Sequence, residues 1–151
     1  MSESFLKGVE LVNAKGDTCA GEDVARGKML ALYFAADWCP DCRDFQPTLN
    51  KYYEQVNTDN RNLEIVFVGS DATNEDQLAH FKDKQGPWWA IPFDSELRSE
   101  LKRKYGVCAG KEQVAVGVAE RKGGIPSVVF VEPNGDLIDL HGVDKIEKDE
   151  K

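Results

Sequence analysis

The sequence predicts an α/β fold in which a β-sheet carries helices on both faces. Two stretches, Met29–Ala36 and Leu63–Gly69, are almost continuously apolar, which is typical of strands buried on both faces of a sheet. Between them, Phe45, Leu49 and Val56 repeat at the period of an amphipathic helix. With 151 residues, the chain is long enough to bury a hydrophobic core.

The first part of the chain predicts two strands and one helix. Val9–Val12 alternates apolar and polar residues, which predicts an edge strand, whereas Gly21–Lys28 is polar and contains glycine, which predicts a loop. The apolar run that starts at Met29 is broken at Asp37. Pro40 then suits the first position of a helix, because proline lacks an N–H that the first turn leaves unpaired anyway.

The second part predicts two helices and a hairpin. Thr73 is a helix-start residue, and Ser95 can cap a helix that ends at Gly106. Ser127–Glu132 and Asp136–Leu140 are strand-like runs joined by a Pro-Asn-Gly turn, which is a strong hairpin signal. The predicted order of elements is therefore β-β-α-β-α-α-β-β.

Composition and charge limit the class of protein and its partners. We interpret residues 1–151 as a single domain, with residues 145–151 as a frayed tail of mixed charge. The net charge of -8 disfavours nucleic acids and anionic membranes as partners. Met1–Lys7 lacks the basic and apolar regions of a secretory signal, so a cytoplasmic location is expected.

The residues from Trp38 to Cys42 place two cysteines, Cys39 and Cys42, where a buried strand gives way to a helix. Disulfide exchange needs a thiolate, and a helix N-terminus favours negative charge through its unpaired N–H groups and its dipole. The two-residue spacer places Cys42 one turn along, within reach of Cys39. The pattern predicts that Cys39 attacks a disulfide and that Cys42 resolves the mixed disulfide.

The same cysteine pair is also half of a zinc site, but a closed zinc site needs four ligands. The other candidate ligands are single and scattered along the chain: Cys19, Cys108, His80 and His141. We therefore expect no metal and no bound cofactor. Cys19 and Cys108 are interpreted as packing residues, with Cys108 the better candidate for regulation because its segment leads towards Pro126.

Asp41 lies inside the motif and allows two interpretations. A carboxylate in the first turn of a helix interacts favourably with the helix dipole. The same negative charge opposes the thiolate form of Cys39. Together with Asp37 and Asp44, and with only Arg43 among them, it makes the rim acidic, which favours cationic thiols or basic partners.

Three segments resemble the thioredoxin superfamily, in particular its tryparedoxin and nucleoredoxin-like branch. They are Leu32–Pro47, Pro87–Phe93 and Ile125–Asp136. The first contains an aromatic strand, then Trp-Cys-Pro-x-Cys-Arg, then a proline; the second is Pro-Trp-x-Ala-x-Pro-Phe; the third begins with Ile-Pro. The resemblance implies a thioredoxin fold, a central mixed sheet flanked by helices on both faces.

The resemblance also implies roles for individual residues. Cys39 is implied as the attacking cysteine, Cys42 as the resolving one, and Trp38 as a lip of the docking surface. Pro126 is implied as a cis-proline that packs against the reactive disulfide, and the backbone of Ile125 as a binding edge for an extended substrate. The other motif residues that we expect to support the site are Pro40, Asp41 and Arg43.

The sequence departs from the branch at several positions. Asp41 stands where the branch usually has a second proline. His141 is the nearest counterpart of the basic residue with which tryparedoxins hold trypanothione. The segment 107–124 is longer than the short link of the family. Tyr33, by contrast, matches the branch. It stands where ordinary thioredoxins carry a buried aspartate, and the tryparedoxin-like branch shares this replacement.

The insertion at 107–124 has two open interpretations. Val114, Val116 and Val118 stand at alternate positions, which predicts a short strand or an extended flap. Because the insertion leads into Ile125, it either borders the Cys39 groove and restricts the clients, or it is an ordinary surface insertion.

Together with the cysteine motif, the resemblance implies a monomeric dithiol reductase that passes electrons to protein disulfides, such as those of peroxiredoxin-type peroxidases. The electron donor is expected to be trypanothione, glutathione or a thioredoxin reductase. The alternative is a thioredoxin-fold binding module of nucleoredoxin-like type whose redox activity is vestigial. The presence of both Cys39 and Cys42 favours activity, since a module without the chemistry could lose either one.

Overall fold

A mixed β-sheet of seven strands runs through the part of the chain that the structure describes. The computed structural model describes residues 6, 8–13, 17–25, 29–36, 38–57, 63–70, 75–77, 88–92, 95–109, 112–118, 122–132, 134–140 and 142–149. The strands are β1 (Glu10–Val12), β2 (Thr18–Ala20), β3 (Met29–Ala35), β4 (Leu63–Gly69), β5 (Trp89–Ala90), β6 (Ser127–Val131) and β7 (Leu137–Asp139). They lie in the order β2-β1-β5-β4-β3-β6-β7.

The two strands predicted from their apolar runs lie near the centre of this sheet. β3 and β4 are parallel, with Tyr33 opposite Phe67, and β6 is antiparallel on the other side of β3, with Val128 opposite Tyr33. Every residue of β4 is buried, as are all of β3 except Met29. β7 pairs antiparallel with β6, which confirms the predicted hairpin.

Helices cover both faces of the sheet, as predicted. Their bounds are α1 (Gly21–Ala25), α2 (Pro40–Val56), α3 (Leu97–Tyr105), α4 (Gln113–Val116) and α5 (Gly142–Asp149). Successive side chains of β3 point to opposite faces. Tyr33 therefore joins a core with Phe45 of α2 and Ile146 of α5, whereas Leu32 joins a second core with Leu101 of α3.

The helix predicted after Ser95 is confirmed as α3. The hydroxyl of Ser95 accepts the backbone N–H of Leu97 at 3.2 Å. Gly106 ends the helix with a φ of 70°, in the left-handed region that glycine adopts without steric cost. Thr73, the other predicted helix start, lies outside the described residues, although residues 75–77 are helical.

Two predictions for the N-terminal region are wrong. Residues 21–25 form α1 rather than a loop, because Gly21 lets the chain pack closely: a Cβ at that position would lie 2.7 Å from the Cβ of Leu6. The Gly21 N–H also donates to the Val9 oxygen at 2.7 Å. β1 is not the edge strand, because β2, which was not predicted, pairs antiparallel on its outer side.

Two predictions for the C-terminal half are also wrong. The alternating valines do not form a strand or extended flap, because Gln113–Val116 is the short helix α4, which ends at Gly117 with a φ of 82°. Val114 is 95% exposed, so the alternating valines do not mark the buried face of a strand. The predicted frayed tail is helical through residue 149, because Ile146 is fully buried and anchors α5.

Candidate active site

Strand direction brings three distant segments to one edge of the sheet. β3 and β4 are parallel, so Cys39 and Ser70, which follow them, lie at the same edge. β6 runs the opposite way, so Ile125, which precedes it, lies there too. The Trp38 indole N–H donates to the Ser70 oxygen at 3.0 Å, and the Cys39 thiol donates to the Ile125 oxygen at 3.9 Å.

Cys39 occupies the N-cap position of α2. Its backbone is extended, with φ of -91° and ψ of 114°, and Pro40 takes the first helical position as predicted. The backbone N–H of Cys42 donates to the Cys39 sulfur at 3.4 Å. A thiolate at this position would accept that N–H and face the positive end of the helix dipole. The local geometry therefore suits the role of attacking thiol that was predicted for Cys39.

Cys42 lies one turn further along and deeper in the protein. It is 1% exposed, against 6% for Cys39, and both are unbridged thiols. Burial raises the pKa of Cys42, and the hydrogen bond with Cys39 and the negative charge of Asp41 raise it further. Cys42 is therefore a neutral thiol at neutral pH, within reach of the Cys39 sulfur.

The Ile125–Pro126 peptide bond is cis, which confirms that prediction. Pro126 lines a cavity of about 270 Å³ together with the exposed side chains of Asp41 and Asp44. Two of the three predicted acidic rim residues therefore border this cavity beside Pro126, while Asp37 lies outside the described residues. The side chain of Arg43 is exposed on the same helical turn as these aspartates.

A neutral hydrogen-bonded pair lies beneath the cysteines. Tyr33 is fully buried, and its hydroxyl donates to Gln46 Oε1 at 3.1 Å. Burial raises the pKa of Tyr33, and the proximity of Cys42 and Cys39 raises it further. The position therefore holds a neutral phenol.

Sequence reasoning did not single out Ser70, Lys102 or Glu112, which join the rim of the site. The Lys102 ammonium contacts Glu112 Oε1 at 2.7 Å and donates to the Gly69 oxygen at 2.9 Å. The Ser70 hydroxyl donates to Glu112 Oε2 at 2.5 Å. Burial lowers the pKa of Lys102, and the bond to Glu112 partly offsets that effect. No local pattern marks these residues, because their contacts are made between distant segments.

The insertion borders the site at both ends. Glu112 contacts Ser70 near its beginning, and Gly123 near its end lines a second cavity, of about 180 Å³, with Pro126. Cys108 within it is fully buried, and Cys19 on β2 is half-buried. Among the described residues, no group of three or more metal-ligating side chains is found. His80 and His141 lie outside that part of the chain.

A central mixed sheet, helices on both faces and a cysteine pair at a helix N-terminus define the thioredoxin fold. The model of a thioredoxin-like family matches residues 27–137. The chain therefore belongs to the thioredoxin-like family, in its nucleoredoxin and tryparedoxin-like branch.

Individual relatives agree with this placement. Nucleoredoxin of Homo sapiens is 31% identical over 125 residues, a match that covers 82% of this chain but only 25% of the relative. Thioredoxin of Wuchereria bancrofti has 34% identity and a TM-score of 0.81, with coverage of 96% of this chain and 90% of that one. Tryparedoxin I of Crithidia fasciculata has 26% identity and a TM-score of 0.73, with coverage of 93% and 85%.

Among the described helices, none is both long enough and apolar enough to cross a bilayer.

Proposed function

We propose that this chain is a thiol–disulfide oxidoreductase that reduces disulfides in client proteins. The observation that carries the proposal is the placement of the Cys39 sulfur. It caps α2, accepts the Cys42 N–H at 3.4 Å and lies 3.9 Å from the Ile125 oxygen. One thiol is thus at the positive end of a helix, a second is within reach of it, and the backbone of Ile125 lies beside the first. Membership of the thioredoxin-like family supports the same chemistry.

The proposed reaction has two exchange steps. The Cys39 thiolate attacks one sulfur of the client disulfide, so that a Cys39–client bond forms as the client bond breaks. The second client sulfur leaves as a thiolate and takes up a proton. Cys42 then loses its proton to solvent and attacks the Cys39 sulfur. This forms the Cys39–Cys42 disulfide and releases the reduced client.

Residues around the cysteines are proposed to hold the client. Trp38 is 39% exposed and is proposed to form one lip of the docking surface, and Pro126 lines the cavity beside Asp41 and Asp44. The backbone of Ile125, which precedes β6, offers hydrogen bonds to an extended client segment in the manner of an added strand. Pro40, Asp41 and Arg43 complete the turn that presents Cys39.

An external donor must return two electrons to the Cys39–Cys42 disulfide. The donors that we propose are trypanothione, glutathione or a thioredoxin reductase, and the proposed clients include peroxiredoxin-type peroxidases. The exposed carboxylates of Asp41 and Asp44 beside Pro126 favour a cationic donor such as polyamine-linked trypanothione. We propose that the protein works as a monomer in a reducing cytoplasm.

The test is catalysis of insulin disulfide reduction with dithiothreitol as the electron source. The wild-type protein should accelerate the reaction, and Cys39→Ser should return it to the uncatalysed rate. Cys42→Ser should accumulate a covalent complex with insulin, because the mixed disulfide then lacks its resolving thiol. Cys19→Ser is the matched control and should behave as the wild type. An uncatalysed rate with the wild-type protein would instead favour a binding module without redox activity.

A further inference from the structure

Trp38 is held at the edge of the site by a backbone carbonyl. Its indole N–H donates to the Ser70 oxygen at 3.0 Å, while 39% of its side chain stays exposed. An exposed aromatic side chain beside the reactive cysteine gives a client protein a surface to pack against. The orientation of that surface depends on where the Ser70 carbonyl lies.

Ser70 is itself fixed from two directions. Its N–H donates to the Ala35 oxygen at 2.9 Å, which ties it to the end of β3. Its hydroxyl donates to Glu112 Oε2 at 2.5 Å, which ties it to the residue before α4. The position of the carbonyl that binds Trp38 therefore depends in part on the Glu112 side chain.

Glu112 is held in a single geometry by its own partners. Oε1 contacts the Lys102 ammonium at 2.7 Å, and Oε2 also accepts the Ala109 N–H at 2.7 Å. Lys102 is 1% exposed and donates in addition to the Gly69 oxygen, next to Ser70. Charge-assisted bonds of this kind are short and directional, so they fix the carboxylate that Ser70 contacts.

We propose that Glu112 is a positioning residue for the docking of protein disulfides, because it acts through Ser70 to fix the Trp38 indole beside Cys39. The proposal rests on the proposed reduction of client disulfides. Trp38 packs against the body of a client rather than against its reacting sulfur atoms. Loss of the Glu112 contact therefore weakens the reduction of a protein disulfide and leaves the reduction of a small disulfide unchanged.

The test compares two single variants, the double variant that combines them, and a control. Glu112→Gln keeps the shape of the side chain but removes its charge, and Ser70→Ala removes the hydroxyl but keeps the carbonyl that binds Trp38. Ser70→Ala leaves the Lys102–Glu112 pair intact, so it provides a result even if Glu112→Gln fails to fold. Glu100→Gln, at an exposed position of α3, is the matched control.

Two readouts are measured on each variant. The first is the Trp38 indole N–H resonance in a nitrogen–proton correlation spectrum, assigned with Trp38→Phe. The second is the pair of kinetic constants for insulin and for oxidised glutathione.

Glu112→Gln and Ser70→Ala should both move the Trp38 resonance and raise the KM for insulin by about tenfold, which corresponds to about 1.4 kcal/mol of lost docking free energy. The kcat for insulin and both constants for oxidised glutathione should stay within about twofold. The double variant should resemble either single one, because the two residues act in one chain of contacts. Glu100→Gln should match the wild type in both readouts.

An unchanged Trp38 resonance and insulin KM in Ser70→Ala would overturn the proposal and leave Lys102–Glu112 as a stabilising pair only. Equal losses with insulin and with oxidised glutathione would overturn it too. If the wild-type protein reduces neither substrate, the proposed function fails, and the Trp38 resonance alone then decides whether Glu112 fixes the indole.

Discussion

Cys39 and Cys42 are separated by only two residues but occupy different environments. Cys39 caps a helix at the surface groove, where its sulfur accepts an N–H. Cys42 is 1% exposed, and its burial raises its pKa. The thiolate is the reactive form of a cysteine, so the raised pKa of Cys42 disfavours it as the attacking thiol, in agreement with the proposed roles. Cys42 is close enough to attack once Cys39 carries a client.

Asp41 provides a prediction at the residue scale. Burial is the main cause of the raised pKa of Cys42, and the negative charge of Asp41 adds to it. Asp41→Asn should therefore lower the pKa of Cys42, and it should make the Cys39–Cys42 disulfide more oxidising at the alkaline pH where the Cys42 thiolate forms. The measurement is ultraviolet titration of the thiolates in the reduced protein, together with the redox equilibrium against glutathione.

Asp44→Asn is the control for Asp41→Asn. Asp44 is an exposed carboxylate on the same helical turn and is not among the charges that raise the pKa of Cys42, so the thiolate titration should not move. If Asp41→Asn leaves the titration where it is in the wild type, Asp41 is a helix-start residue and nothing more.

The sequence contains the local part of the site but not its long-range contacts. Cys39, Cys42 and Pro40 form a strand–helix junction that chain order alone makes recognisable. The cis bond before Pro126 was predicted only through the family resemblance. Lys102 has no such signal, because on the sequence it is one of several charged residues of an amphipathic helix. Its partner Glu112 is brought to it by the fold of the insertion.

At the scale of elements, the long buried strands and the long helix α2 were predicted well, whereas the short helices α1 and α4 were not. α2 spans 17 residues and has a clear apolar stripe, whereas α4 spans four, fewer than an apolar period needs to become visible. α5 was missed because its sequence is dominated by charge. Its buried contacts come from Ile146 and from Gly142, where a Cβ would lie 2.8 Å from the Cβ of Val128.

Ile146 tests whether α5 is part of the folded core. Its side chain is fully buried in the core that also contains Phe130 of β6 and Leu49 of α2. Ile146→Ala should lower the free energy of unfolding by about 2–4 kcal/mol, because it removes buried methyl groups and leaves a cavity. The measurement is urea unfolding of the full chain.

Val114→Ala is the matched control for Ile146→Ala. It also shortens a β-branched side chain on a helix, but at a position that is 95% exposed. Its effect on the free energy of unfolding should stay within about 0.5 kcal/mol. A loss of similar size in Ile146→Ala would mean that α5 is a frayed tail after all.

At the scale of the whole molecule, the site is a consequence of sheet topology. The parallel pairing of β3 with β4 puts the residues after both strands at one edge, and the antiparallel β6 starts from that edge. Cys39 and Ile125 meet there although they are 86 positions apart. The hydrophobic pattern predicts which strands are buried but not which strands lie next to each other. The proximity of Cys39 and Ile125 was therefore predicted from the family resemblance and not from periodicity.

The most direct test of the central claim is residue-resolved alkylation of the reduced protein with iodoacetamide. At pH 7, mass spectrometry should find Cys39 modified before Cys42. Labelling of Cys42 should become fast only as the pH rises, because its raised pKa keeps it a neutral thiol at neutral pH. Modification of Cys42 before Cys39 at pH 7 would contradict the assignment of Cys39 as nucleophile and Cys42 as resolving thiol.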